Sequence, residues 1–287
     1  MTTPSTTKPT EPTQLGQQRV KPRRRTVLSY INIEGCLFVI ALIAVWQLLV
    51  TAKVIRSNLF PSPWQIWSSA VHLARTGGIG GPLLHTILVT VVGWLIASAV
   101  GLLLGLLMGT FLPVWQYLMA SIDVIRSIPA IVFVPVIALI FGISLKAEII
   151  VIIYVSVWPV LLSTLAGVQQ VGAGLRDSAR MMHLSRAAYV WKIALPSAVP
   201  EILVGTRLSM ALALTLSIVG ELLINPAGLG YSLLQAQQTE QPRPMFVFVV
   251  LVGILGFLLN ALLLWLARVI LPAGVTEAVL DQQAEAS

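Results

Sequence analysis

Charged residues and cysteine are both scarce in this sequence. Of its 287 residues, 10% are Asp, Glu, Lys or Arg, whereas about a quarter of a soluble globular domain is charged. The single cysteine, Cys36, excludes an intrachain disulfide framework and a cysteine-based metal site. The histidines are too scattered along the chain to predict a metal cluster: His72, His85 and His183. The sequence therefore predicts neither a metal site nor a cofactor.

Signatures of common enzymes are also missing. No G-x-x-x-x-G-K-[ST] phosphate loop occurs in the sequence, so any ATP hydrolysis that drives this protein must take place on a separate subunit. The H-E-x-x-H and G-x-S-x-G motifs, which would indicate a metalloprotease or a serine hydrolase, are absent as well. We therefore predict that the chain is not itself an enzyme.

Apolar residues, by contrast, are abundant. They make up 57% of the chain, and the mean hydropathy is +0.90. They fall in blocks of about 20 residues, the length that an α-helix needs to cross the hydrocarbon core of a bilayer. The sequence thus predicts an all-α membrane protein with a membrane domain at 27–270. About six transmembrane helices are expected, at 36–54, 86–109, 115–141, 147–168, 198–224 and 245–270.

Two of these spans carry residues that affect helix geometry or packing. Gly101, Gly105 and Gly109 recur at every fourth position of the second span, which predicts a face that packs closely against another helix of the same chain. The third span is expected to be interrupted at Ser127-Ile-Pro129 and at Pro135, because proline lacks a backbone donor and restricts the residue before it.

Both ends of the chain are polar. Residues 1–26 are rich in Thr, Pro and Gln and lead into a basic cluster, whereas residues 271–287 are polar and acidic; both are predicted to be tails without a packed core. Eleven Lys and Arg residues lie in the N-terminal tail, in the loop 171–197 and at Arg268, which are on one side of the predicted membrane, whereas the loops on the other side carry five. Because cytoplasmic loops are enriched in these residues, both termini are predicted to be cytoplasmic. The same rule accounts for the net charge of +7, so nucleic acid is not a predicted partner.

The longest polar stretch in the middle of the chain is Asp177–Pro196. The predicted orientation makes it part of a cytoplasmic loop. Two short helices are expected in it: Arg176–Met182, with Asp177 in the first turn, and Arg186–Leu195, which Pro196 would end. The loop also contains methionine, tyrosine and tryptophan. Since a loop that only connects two spans does not need exposed apolar side chains, this composition indicates an interface.

This loop resembles the so-called EAA loop of the permease subunits of bacterial ATP-binding-cassette (ABC) importers. The matching elements are Asp177-Ser-Ala179, Leu195-Pro196, Pro200 and Gly205-Thr-Arg207. Further elements have the order and spacing of the nitrate/sulfonate/taurine/bicarbonate branch of this family: Phe60-Pro-Ser-Pro63, His85-Thr86, Ser127-Ile-Pro129, Phe141-Gly142, Glu221-Leu222 and Gly228-Leu-Gly230. The resemblance implies a type I ABC importer-like fold, with about six transmembrane helices and a cytoplasmic coupling-helix loop.

The resemblance also implies partners and a substrate. In such permeases the loop, here 171–197, docks in a groove of a separate cytosolic ATPase subunit, and an extracytoplasmic binding protein delivers the substrate. Two copies of the chain, as a homodimer in the bacterial inner membrane, would form the pathway for a small anion such as an alkanesulfonate, taurine or nitrate. The implied ATPase-coupling residues are Asp177, Ser178, Ala179, Met181, Met182, His183, Leu195 and Pro196.

A secondary transporter driven by an ion gradient is the alternative function. It predicts internal repeats and charged residues near the bilayer midplane. The sequence shows no clear repeat and few charges inside the spans, which favours the importer.

His183 stands where the resembled family has glycine at the joint between two short helices. Histidine adopts positive φ more often than most residues that carry a Cβ. We expect the joint to be retained with modest strain. The alternative is that the first short helix continues for one more turn.

Polar residues within the spans are candidates for the pathway, since buried polar groups in a membrane are costly. The candidates are Arg126, Ser209 and Glu221. Each has a structural alternative: an ion pair with Asp123 for Arg126, a bond to a carbonyl of its own helix for Ser209, and a cap at the membrane interface for Glu221. Glu148, at the start of the fourth span, is expected at the outer interface of the membrane that the protein spans.

Overall fold

The structure is a computed structural model that describes residues 33–52 and 59–270. The predicted tails, 1–26 and 271–287, and the last two residues of the first predicted span lie outside these ranges. The chain divides into two units, residues 1–45 and 46–287; α1 begins in the first unit, and every later helix belongs to the second. The helices are α1 (Ile33–Thr51), α2 (Pro63–Arg75), α3 (Gly80–Thr110), α4 (Leu112–Ser127), α5 (Ala130–Phe141), α6 (Leu145–Gln169), α7 (Ala173–Met181), α8 (Arg186–Tyr189), α9 (Leu195–Leu223), α10 (Gly228–Gln238) and α11 (Pro242–Ile270).

Four helical segments in the described ranges are long and apolar enough to cross a membrane: Gly80–Thr110, Leu145–Gln169, Arg186–Leu223 and Pro242–Val269. The bent pair α4 and α5 would make a fifth span, and α1 contains a shorter apolar stretch. Large apolar side chains such as Leu103 and Phe257 are exposed on these helices. Such surfaces suit contact with lipid, so the protein is a multi-pass helical membrane protein.

Helices α3, α6 and α9 form the centre of the second unit. A Cβ added at Gly105 of α3 would lie 2.7 Å from the carbonyl oxygen of Leu161 in α6, so the two backbones are nearly in contact, as small residues at fourfold spacing allow. The hydroxyl of Thr90 on α3 donates to the hydroxyl of Ser217 on α9 at 2.8 Å. The glycine face of the second predicted span is therefore the interface between α3 and α6.

The third predicted span consists of two helices, α4 and α5, whose axes differ by 86°. Ile128 between them is extended, with φ −79° and ψ 122°, because the ring of Pro129 excludes the preceding residue from the α conformation. The interruption predicted at Ser127-Ile-Pro129 is confirmed. The interruption predicted at Pro135 is wrong, since α5 continues through that residue.

The two short helices of segment 171–197 differ from the prediction. Helix α7 begins at Ala173, so Asp177 does not lie in its first turn. Pro196 does not end the second helix, because α8 continues through a π-helical turn, Val190–Ala194, into α9. Pro196 has no N–H to donate to the carbonyl four residues before it. The N–H of Leu195, the residue before it, donates to the carbonyl of Val190, five residues back. The wider π turn thus admits the proline into a continuous helix.

Candidate functional site

Segment 171–197 presents apolar side chains to the surroundings of the helix bundle. Met181 and Met182 at the end of α7 are 75% and 71% exposed, and Trp191 in the π turn is 69% exposed. Ala179, on the other side of α7, is buried. A helix that is anchored on one face and exposes apolar residues on the other is typical of a protein interface. We call Met181, Met182 and Trp191 the loop surface.

Helix α7 ends in a Schellman motif, which fixes the position of the loop surface. The N–H of His183 donates to the carbonyl of Arg180 at 3.0 Å, and the N–H of Leu184 donates to the carbonyl of Ala179 at 3.1 Å. His183 has a φ of 50°, the left-handed conformation that this motif requires. Of the two alternatives for His183, the structure has the retained joint.

The left-handed conformation of His183 leads to a stability prediction. His183→Gly removes the Cβ that disfavours positive φ, so we expect it to be neutral or to stabilise the protein by up to about 1 kcal/mol. His183→Val should destabilise by about 1–2 kcal/mol, because β-branched residues tolerate this region poorly. Melting temperatures of the purified variants measure both changes. Glu240, with a φ of 52° after α10, is the matched control and should show the same order; equal melting temperatures of the Gly and Val variants would contradict the prediction.

A cavity of 560 Å³ lies between segment 171–197 and the adjoining ends of α3 and α6. The guanidinium of Arg186 lies 5.1 Å from the ring centroid of Phe111, a cation–π contact that connects α8 to the end of α3. The cavity has both cationic and apolar walls, which include Arg176, Arg180, Arg186, Met108 and Val168. Any displacement of α7 relative to α3 and α6 therefore changes its shape.

A group of polar side chains lies at the ends of α3, α6 and α9 that are far from segment 171–197. It comprises His85, Glu148, Glu221 and Asn225, and we call it the His–Glu cluster. Glu148 Oε2 lies 3.2 Å from His85 Nε2 and accepts a hydrogen bond from Asn225 Nδ2 at 3.1 Å. Glu148 and Glu221 are 0% and 1% exposed, respectively. The cluster therefore joins the ends of three apolar helices, and its two acids are shielded from solvent and lipid.

The start of α10 packs directly on this cluster. Glu221 Oε2 accepts a hydrogen bond from the N–H of Gly230 at 2.7 Å, and Thr86 Oγ1 accepts one from the N–H of Leu229 at 2.9 Å. These are N–H groups of the first turn of α10, which have no partner within a helix, and the residue before the helix supplies no side-chain cap. A buried carboxylate also suits the positive end of the helix dipole. Side chains of α3 and α9 thus cap α10.

The three predicted pathway residues are not brought together. Arg126 Nε pairs with Asp123 Oδ1 at 2.8 Å on the exposed side of α4. Ser209 Oγ donates to the carbonyl of Ser156 in α6 at 2.6 Å, and about 18 Å of α9 separate it from Glu221. The contact of Arg126 is the structural alternative considered above, whereas that of Ser209 joins two helices. A pathway role for these residues stays a prediction.

Glu148 is a site residue whose surroundings were not predicted from the sequence. Its expected place at the outer interface of the membrane stays a prediction, and its side chain is fully buried within the helix bundle. Its partner His85 is 63 positions away in the sequence, and no spacing pattern links the two. The available signal was an acid in the first turn of one apolar helix and a histidine near the start of another. Asn225 gave no signal of its own.

Comparisons with known proteins agree with this architecture. Residues 97–273 match the family described as "Binding-protein-dependent transport system inner membrane component". Among curated relatives, the putative aliphatic sulfonates transport permease protein SsuC of Bacillus subtilis (strain 168) is 29% identical over 88% of this chain and 91% of its own. The nitrate import permease protein NrtB of Synechocystis is 28% identical over 88% of this chain and 96% of its own. The bicarbonate transport system permease protein CmpB of Synechococcus elongatus is 30% identical over 62% of this chain and 65% of its own.

A solved structure supports the fold. An inward-facing conformation of the MetNI methionine ABC transporter has a chain that matches with a TM-score of 0.60 and 21% identity, covering 67% of this chain and 95% of that one. The architecture is thus that of a type I ABC importer permease. The chain belongs to the family of inner membrane components of binding-protein-dependent transport systems. It acts as the membrane-spanning permease subunit of an ABC importer.

Proposed function

We propose that two copies of this chain form the pathway of an importer for a small anion, and that a separate ATPase docks on the loop surface to drive it. The substrate class rests on the relatives, whose names specify aliphatic sulfonates, nitrate and bicarbonate. All three are small anions whose negative charge lies on oxygen atoms. The absence of a phosphate loop from the sequence supports ATP hydrolysis on a partner subunit.

The observation that carries the docking proposal is the exposure of Met181 and Met182 at the end of an otherwise anchored helix. Methionine side chains adapt to a partner surface at low cost. The Schellman motif at His183 fixes the end of α7, and the π turn connects α8 to α9 without a break. A force applied at the loop surface would therefore reach α9, which packs against both α3 and α6. This is the mechanical connection that coupling of ATP hydrolysis to transport needs.

The proposed orientation follows from charge. Segment 171–197 carries Arg176, Arg180, Arg186 and Lys192 against a single acid, Asp177. Cytoplasmic loops are enriched in Lys and Arg, so this segment would face the cytoplasm and the His–Glu cluster would lie towards the outer side. The termini would then be cytoplasmic, and a binding protein would deliver the substrate at the other face.

Cysteine crosslinking tests the docking site. The sole native cysteine is first removed as Cys36→Ser, and Met181→Cys, Met182→Cys or Ala179→Cys is then introduced. We expect crosslinks to the ATPase from positions 181 and 182, which are exposed, and none from 179, which is 4% exposed. The same chains, co-expressed with the ATPase and purified through a tag on the permease, should carry the ATPase with them.

Two further measurements separate the parts of the proposal. A membrane-impermeant maleimide should label Gln241→Cys in intact cells but label Met182→Cys only after permeabilisation; the reverse would contradict the orientation. Uptake of nitrate, bicarbonate and an alkanesulfonate by cells that also express the ATPase and binding protein ranks the substrates. Uptake that survives an inactive ATPase but stops with a protonophore would instead support the ion-gradient mechanism, and equal crosslinking at 179 and 182 would refute the docking surface.

A further inference from the structure

We propose that the His–Glu cluster is a binding site for a divalent first-row transition-metal cation, with Zn²⁺ as the best match to its donor set. Bound there, the cation would fasten the start of α10 to α3, α6 and α9. The inference is independent of the substrate and of the ATPase. It uses the proposed function only for the side of the membrane from which the cation arrives.

Geometry is the first argument. His85, Glu148 and Glu221 each offer a ligand atom, and these three atoms all lie within 4.8 Å of one another. Zinc bonds to nitrogen and oxygen of about 2.1 Å in a tetrahedron place the ligand atoms about 3.4 Å apart. The pair His85 Nε2 and Glu148 Oε2 already has a spacing of 3.2 Å. The ligand atom of Glu221 lies within 4.8 Å of this pair, so its carboxylate must move closer to complete the tetrahedron.

The unpartnered carboxyl oxygens of the two acids are the second and independent argument. Glu148 Oε1 and Glu221 Oε1 are buried and have no hydrogen-bond partner among the described residues. Among the described residues, His85 is the only ion-pair partner of these two acids. Two ionised carboxylates beside a single imidazole would leave excess negative charge at low dielectric, which a proton or a bound cation must compensate. A divalent cation supplies that compensation and occupies the free oxygen lone pairs.

The chemistry of the donors selects the kind of cation. One imidazole nitrogen with two carboxylates is a donor set of zinc and of related transition metals, whereas Mg²⁺ and Ca²⁺ prefer oxygen ligands alone. Asn225 could contribute a fourth ligand, since its amide lies 3.1 Å from Glu148 Oε2 and turning the amide by half a rotation presents its oxygen. The side chain of His85 is 19% exposed, which leaves a way in from the surface.

The position of the His–Glu cluster means that a cation bound there would connect several helices. Glu221 holds the first turn of α10 through Gly230, and Asn225 lies in the link between α9 and α10. A cation shared by His85 and the two acids would tie these elements to the ends of α3 and α6. Metal binding should therefore stabilise the docked position of α10.

Metal titration of the full-length chain tests the proposal. The protein, purified in lipid nanodiscs through a tag without histidine and treated with a chelator, is titrated with Zn²⁺, and the bound metal is measured by mass spectrometry. We expect about one Zn²⁺ per chain and a rise in melting temperature. Glu148→Gln and Glu221→Gln should weaken binding about 100-fold or more, since both remove a ligand. Glu240→Gln and His72→Ala, which alter exposed residues outside the cluster, are the matched controls.

A substitution that keeps a ligand guards against misfolded variants. In a Cys36→Ser background, His85→Cys should retain stoichiometric binding and show thiolate-to-metal charge-transfer absorption with Co²⁺, which no other residue of that chain can produce. The proposal is overturned if the wild-type chain binds no stoichiometric Zn²⁺. It is equally overturned if folded Glu148→Gln binds Zn²⁺ as tightly as Glu240→Gln, or if folded His85→Cys gives no thiolate absorption; the cluster would then be a hydrogen-bonded cap for α10 and nothing more.

Discussion

Replacing Gly228 by alanine is expected to abolish most of the folded permease. Gly228 has a φ of +89°, and a Cβ at this position would overlap the carboxylate of Glu221. The left-handed backbone costs about 1–2 kcal/mol for a residue with a Cβ, and forcing an atom into a packed site costs about 1–3 kcal/mol more. Displacing the carboxylate would also break its bond to Gly230, worth about 1–3 kcal/mol when a buried group is left unpaired. The yield of monodisperse protein and its melting temperature measure the loss.

A second glycine separates the two causes. Gly77 has a φ of +79° but nothing within 4 Å of an added Cβ, so Gly77→Ala should show the backbone cost alone. We expect its melting temperature to fall by a fraction of the change at Gly228. Similar losses at both positions would mean that backbone conformation, and not packing of α10 on Glu221, explains the effect. A Gly228→Ala variant with normal yield and melting temperature would contradict the packing of α10 itself.

The apolar spans, the bend at Pro129 and the joint at His183 could be predicted from the sequence because local physics determines them. A bilayer sets the length of an apolar helix, so the predicted span 147–168 falls within α6, Leu145–Gln169. The effect of Pro129 on its predecessor is equally local, and the bend between α4 and α5 follows from it. His183 belongs to the same class, since a Schellman motif involves only residues that are close in sequence.

The His–Glu cluster could not be predicted, because its members come from three separate parts of the chain. Hydropathy places Glu148 near the end of a helix but does not say which way the side chain points around the helix axis. That direction depends on which helices are neighbours, here α3 with His85 and the link after α9 with Asn225. The π turn before Pro196 was not predicted for another reason. Proline removes a donor, but whether the helix ends or widens depends on the packing around it.

The interface between α3 and α6 should tolerate almost no added volume, so Gly105→Leu is expected to prevent assembly of the helix bundle. A Cβ at Gly105 would lie 2.7 Å from the carbonyl oxygen of Leu161 and 2.6 Å from Cβ of Thr164. The first of these is backbone and cannot rotate away, so the helices must separate along their length. The cost should exceed the roughly 1–3 kcal/mol of an ordinary overpacked core, a large part of a typical stability of about 5–15 kcal/mol. Gel filtration and the melting temperature in detergent measure the result.

The matched control lies on the opposite face of the same helix. Ala99→Leu adds a similar side chain at an exposed position of α3, in line with Leu95 and Leu103, which are exposed as well. We expect this variant to change the free energy of unfolding by less than about 0.5 kcal/mol. That change would shift the melting temperature by no more than about 2 °C. A series of Ala, Ser and Leu at position 105 should lower the melting temperature in order of added volume. If the melting temperature does not change along this series, or if Ala99→Leu lowers it equally, then α3 does not pack on α6 through its glycine face. Close backbone contact requires a graded loss that is confined to position 105.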